Sequence, residues 1–137
     1  MEIPQLFSNP NKADYVMYIL INEELKEMDQ IISQCCSLSC KVIRTIENLS
    51  NKPDYYVKWI ENSEKKVLLK ASAEDLIYCV SQFSNPKQHI WCQFILDIIR
   101  KSDKQNCIQV SAVAFIPMMS KKAPKLIKEI IQNKNNS

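Results

Sequence analysis

The stretch DYVMYILINEELKEMDQIISQCCSLSCKVIR, residues 14–44, decides how this chain is read. Its first eight residues, DYVMYILI (14–21), are aromatic, aliphatic and β-branched after the opening acid, as a buried strand requires. NEELKEM is a polar connection. From Asp29 to Leu49 the apolar residues fall at 31, 32, 35, 38, 42, 43 and 46, the spacing of one helix face. A strand, a polar link and an amphipathic helix open an α/β domain.

That helix holds three of the six cysteines. On a helical wheel Cys35 falls in the middle of the apolar face, between Ile31, Leu38 and Val42. Cys36 and Cys40 lie at its flank, and Ser33, Ser37, Lys41 and Arg44 take the opposite side. A zinc site needs a tetrahedral set, usually two pairs at C-x₂₋₄-C spacing. Cys36 and Cys40 could supply one pair. No second pair exists, because Cys79, Cys92 and Cys107 are isolated and His89 is the single histidine. The cysteines therefore read as small, polarizable core residues, with no metal and no cofactor.

Downstream, NLSNK ends the helix and Pro53 suits the first turn of a second one, PDYYVKWIENS. KKVLLK (65–70) is a strand candidate. In ASAEDLIYCVSQF, Ser72 is the N-cap and Asp75 the capping-box residue of a short helix. QHIWCQFIL (88–96) alternates as a strand, DIIRKSDKQN is a polar loop, NCIQVSAVAFIP is another strand, and SKKAPKLIKEIIQ is a closing amphipathic helix. The order β-α-α-β-α-β-β-α predicts one α/β domain with a mixed, four-stranded sheet covered by helices. Residues 1–12 read as a flexible arm, 13–132 as the domain and 133–137 as a frayed tail.

A chain of 137 residues is one domain's length, and 46% hydrophobic with 24% charged residues describes a globular protein rather than a disordered one. The net charge of +3 tolerates a polyanionic partner without demanding one. No apolar run approaches the ~20 residues that span a bilayer. The start MEIPQLFSNPNK lacks an apolar h-region. Six cysteines without a targeting segment point to reduced thiols in the cytoplasm. The chain has no glycine. That excludes the Gly-rich loops that cradle phosphates, and it leaves turns needing positive φ to Asn22, Asn51, Asn62, Asn85 and Asn106.

Several segments resemble one family. YVMYILI, a loop and IISQCCSLSC are similar to the first β-α unit of the peptidyl-tRNA hydrolase II family, whose helix carries a Gln-Cys-Ala-His-Ala type stretch. YYVKWIENSEKKVLLKASAEDLIYC resembles its helix, strand and acidic helix start. FILDIIRKS resembles its I-x-D-A-G-R-T loop, aligning Asp97 and Arg100 with the aspartate and arginine. AVAFIPMMSKKAPKLIKEI looks like its last strand and closing helix. The resemblance covers residues 14–131, and its closest flavour is the eukaryotic domain-containing subgroup.

The resemblance implies tRNA as partner and hydrolysis of the ester between a peptidyl group and the tRNA ribose. It makes Asp97 the water-orienting carboxylate, since a carboxylate can orient or deprotonate water. It offers Gln34, Arg100, Lys101 and Lys26 as substrate or phosphate contacts. Gln34, Cys35, Asp97 and Arg100 are retained. The family's K-G-K lysines fall on Met28 and Gln30, with Asp29 at the glycine. Its helix histidine falls on Ser37, its loop glycine on Ile99 and its threonine on Lys101. Phe115-Ile116-Pro117-Met118 replaces its Gly-Pro. Lys26 or Lys101 would have to supply a displaced cation. A catalytically inactive relative, binding tRNA or a protein or forming a homodimer, is the alternative.

Blander readings stand beside these. Asp97 could simply start a polar loop, and Arg100, Lys101 and Lys104 could be a solvated charge run. Lys121, Lys125 and Lys128 share a face of the closing helix with Lys122 nearby. They form either a nucleic-acid stripe or the wet side of an amphipathic helix. His89 at a strand start reads as structural, and Trp59 and Trp91 as core or interface anchors.

Overall fold

The computed structural model describes residues 14–100 and 106–136. Strand β1, Tyr15–Asn22, is followed by helix α1, Met28–Glu47, and helix α2, Asp54–Glu61. Strand β2, Lys66–Ala71, leads into α3, Ala73–Phe83. Strands β3, Cys92–Arg100, and β4, Asn106–Phe115, precede a two-residue strand β5, Met118–Met119. A 3₁₀ turn, Ser120–Lys122, then gives way to α4, Lys125–Asn136.

The main sheet runs β2-β1-β4-β3, with β1 parallel to β2 and the other pairs antiparallel. The mixed α/β sheet and element order expected from the sequence are present, with β5 added on the opening residues of β1. β1 reads as an unbroken apolar run because both of its faces are covered. Met17, Ile19 and Ile21 pack with Leu38, Val42 and Ile46 of α1 and Trp59 of α2. Val16, Tyr18 and Leu20 pack with Leu76 and Cys79 of α3 and Ile127 of α4. Ala112 and Ala114 of β4 lie on the first of these faces, where small side chains let a helix come close to the sheet. Trp59 is fully buried and donates its indole N–H to the Lys65 carbonyl at 2.8 Å, and Trp91 is 4% exposed. Both tryptophans are core.

Several local expectations are corrected. Residues 97–100 are not loop but the second half of β3. The closing helix continues through 133–136, where a tail was expected. Pro124 interrupts the lysine stripe, so Lys121 and Lys122 lie in the 3₁₀ turn. Lys128 Nζ donates to the Lys121 carbonyl, and Lys125 pairs with Glu129. His89 is exposed and precedes β3 rather than starting it. Among the described residues, positive φ falls on Ser63 and Glu64, between α2 and β2, and on no asparagine. Asn22 and Asn85 use their side-chain oxygens instead, accepting from the backbone N–H of Glu24 and Lys87.

The cysteines divide. Cys35, Cys79 and Cys92 are buried as read, while Cys36 and Cys40 are exposed and Cys107 is half-buried. Burial pushes the Cys79 and Cys92 thiols up to about 12 from the ordinary value of 9.0. The unfolded chain thus ionises these thiols first, so the native state loses stability as pH rises from 9 towards 12. The guanidinium midpoint should fall steadily over that window, and the Cys79→Ala/Cys92→Ala protein should show a shallower fall. Equal slopes would sink the assignment. With Ellman's reagent, Cys36 and Cys40 should react before any unfolding, and Cys35, Cys79 and Cys92 only after it.

Candidate functional site

The site grows from two irregularities in the sheet. Ile95 pairs with Ala112 but Leu96 pairs with Val110, so Ser111 is the extra residue of a β-bulge. The bulge puts Ser111 and Ala112 on the same side of β4, towards α1. The second irregularity is polar: Asn22, fully buried at the end of β1, donates through Nδ2 to the Val110 carbonyl at 3.1 Å and to Gln109 Oε1 at 3.2 Å. These bonds tie β1 to β4 just where the chain leaves for α1.

On that side α1 meets β3. Gln30 and Gln34 stand one turn apart on α1 and both reach Asp97. Their side-chain amides donate to Asp97 Oδ2 from 2.8 and 2.7 Å. The Ile98 backbone N–H donates to Oδ1 at 2.8 Å. Gln34 is 7% exposed and Ser111 wholly buried, and the Ser111 hydroxyl donates to Gln34 Oε1 at 2.7 Å. That bond fixes which end of the Gln34 amide faces the carboxylate. A carboxylate offers about four lone-pair sites. Among the described residues three are occupied, all by neutral donors, and one remains on Oδ1.

Asp97, half-buried at the edge of the sheet, is brought together with Gln34, which the resemblance offered as a substrate or phosphate contact. Buried and bonded at both ends of its amide, Gln34 holds the carboxylate instead. Gln30 joins them. It occupies a position where the resemblance puts a lysine, and it touches the carboxylate with an amide instead. Lys26 is exposed and its ammonium is bonded to the Glu23 carbonyl at 2.7 Å. Among the described residues no ion pair includes Asp97. The Arg100 side chain and the whole of Lys101 lie outside the described residues. Carboxylates surround the turn into α1: Glu23, Glu24, Glu27 and Asp29 are all exposed. Among the described residues no group of three or more His, Cys, Asp or Glu side chains could hold a metal.

Ser111 and Gln30 were missed from sequence. A lone serine in VSAVAF gives no signal that a bulge will turn it inward, and Gln30 registered only as a lysine lost. A cleft of about 750 Å³ opens on the far side of the first turn of α1, between Met28, Ile31, Leu68 and Ile130. Asp97 does not line it. A clamped carboxylate outweighs an apolar hollow as a sign of chemistry.

The chain is thus an α/β protein with a mixed sheet between helix layers and a carboxylate held at the sheet's edge by amides of the first helix. The family model for peptidyl-tRNA hydrolase PTH2 matches residues 15–130, and the chain belongs to that family. It is a peptidyl-tRNA hydrolase-like protein. A comparison with curated proteins gives no match. Among the described residues no helix is long and apolar enough to cross a membrane.

Ser111→Ala would strand the buried Gln34 carbonyl oxygen without its donor. The expected cost is about 1–3 kcal/mol in denaturant unfolding, whereas Ser111→Thr, which keeps the hydroxyl, should lose less. Equal losses would mean that the hydroxyl plays no part.

Proposed function

We propose that this chain hydrolyses the ester of peptidyl-tRNA, slowly, with Asp97 orienting and deprotonating the attacking water. The observation that carries the reading is the lone-pair site on Asp97 Oδ1 that no described residue fills, on a carboxylate whose other sites are held by Gln30, Gln34 and the Ile98 N–H. A water donating to that site would attack the ester carbonyl carbon as its proton passes to the carboxylate. The bond to the ribose oxygen then breaks, and the proton returns to that oxygen. Gln34 and Ser111 act as positioning residues. Arg100, Lys101 and Lys26 remain the candidates for phosphate contact, in a protein working on tRNA in the cytoplasm.

A positioned cation beside the reacting oxygen is worth about 3–4 kcal/mol if single oxyanion donors are a guide. Gln30 stands where the resemblance puts a lysine, and its neutral amide is bonded to the carboxylate, which is why the proposed turnover is slow. The same amide, together with the exposed Glu23, Glu24, Glu27 and Asp29, favours a second reading: a non-catalytic relative whose acidic rim faces a protein partner or a second copy.

N-blocked aminoacyl-tRNA decides between them. Asp97→Asn should lower release of the blocked amino acid roughly a hundredfold or more while tRNA affinity changes little. Gln30→Lys should raise turnover, by roughly tenfold to a thousandfold, if the missing charge is what limits it. No turnover by folded wild-type protein at high concentration would end the hydrolase reading and leave the binding one.

A further inference from the structure

Beyond the carboxylate, we infer that the outer edge of β3 binds the peptide part of the substrate as an added strand. This inference rests on the hydrolase reading, whose ester must sit at Asp97. β3 is the last strand of the main sheet, and among the described residues no strand lies beyond it. The odd-numbered backbone groups of β3 face β4, since the Trp91 carbonyl accepts from the Ile116 N–H and the Ile95 carbonyl from the Ser111 hydroxyl. The Ile98 N–H therefore points away from β4, and the Asp97 side chain takes it. Alternation along a strand turns the backbone groups of Leu96 the same way. Among the described residues the edge therefore offers an unpaired ladder beginning beside the carboxylate. At Ile98 itself, Asp97 closes the donor where the reacting ester would lie.

The side chains agree with the backbone. Leu96 is 57% exposed, Ile98 60% and Ile108 71%. Ile98 and Ile108 are cross-strand partners, and Leu96 pairs with the buried Val110. These three form an uncharged aliphatic strip on the face opposite Asp97. Natural sheets blunt a free edge with lysine, proline or a cover; between 92 and 99 this one has neither residue. An extended peptide laid here gains main-chain hydrogen bonds whatever its sequence, with a preference for apolar residues beside Leu96 and Ile98. A hydrolase that meets peptides of every sequence needs recognition of that kind. An occupant continuous with the ester explains why the free edge and the carboxylate lie on one strand.

The test compares tRNA carrying one N-acetylated residue with tRNA carrying an N-acetylated tetrapeptide of valine and alanine. Two or three added backbone hydrogen bonds should lower KM roughly tenfold for the longer ester. N-methylation of its peptide nitrogens should remove that advantage. Leu96→Asn should bring the ratio of the two kcat/KM values towards one. A second readout does not need turnover: the same tetrapeptide linked by an amide to 3′-amino-3′-deoxyadenosine should slow hydrogen exchange at the Leu96 amide. Turnover with equal KM for both esters and no slowed exchange would overturn the inference and leave the hydrolase reading intact. Slowed exchange with no turnover would sustain the edge site and end the hydrolase reading. Concentration-dependent dimers by sedimentation, with the Leu96 amide protected before ligand is added, would assign the edge to a second copy and overturn the inference.

Discussion

Burial of β1 on both faces is the constraint from which the rest of the structure follows. Its even-numbered side chains from Val16 to Leu20 belong to one core and its odd-numbered ones from Met17 to Ile21 to the other. A strand of that kind needs a helix layer on each side, which α1 and α2 supply below and α3 and α4 above. It also needs partners along both edges, which β2 and β4 supply. The last residue of β1, Asn22, is the one polar group of the strand that goes fully inside, and its amide is spent on holding β4. The position of α1 over β3, and so of Gln30 and Gln34 over Asp97, is inherited from that anchoring.

The polar chain from Ser111 through Gln34 to Asp97 shows how a neutral interior can still fix a charge. No cation among the described residues balances the carboxylate. Two side-chain amides and a backbone N–H do, carried by a helix and a strand, with the Ser111 hydroxyl at the bulge orienting one of the amides. Among the described residues every buried side-chain polar atom has a partner, so the few polar groups inside are structural commitments. Losing any one leaves another unsatisfied, which costs more than the bond itself contributes.

The fold was legible because its signals are local and redundant. Ser72 caps α3 through the Asp75 N–H, as the ASAED pattern requires. The helical spacing after Asp29 placed Cys35, Leu38 and Val42 inside. The site was legible only in part. Asp97 looked like the start of a loop because charge follows at Arg100 and Lys101, and strand pairing with Gln109 is invisible from one sequence. Ser111 could not be found, because a bulge reverses the alternation on which a strand reading depends. The asparagines were assigned the left-handed turns, yet Ser63 and Glu64 carry them; an asparagine side chain can bond its own turn and has no need of positive φ.

The pairing of β1 also sets when this protein can fold. Leu20 must find Leu69 on one side and Val113 on the other, and both lie far along the chain. During synthesis this apolar strand leaves the ribosome before its partners and has no edge partner until the α1–α2 crossover is made, then none on its second edge until β4 appears. Contacts so distant in sequence form slowly, and unpaired strands exposed meanwhile are prone to aggregate. α1 is the earliest element able to shield one face of β1, so its amphipathic pattern serves the nascent chain before it serves the site.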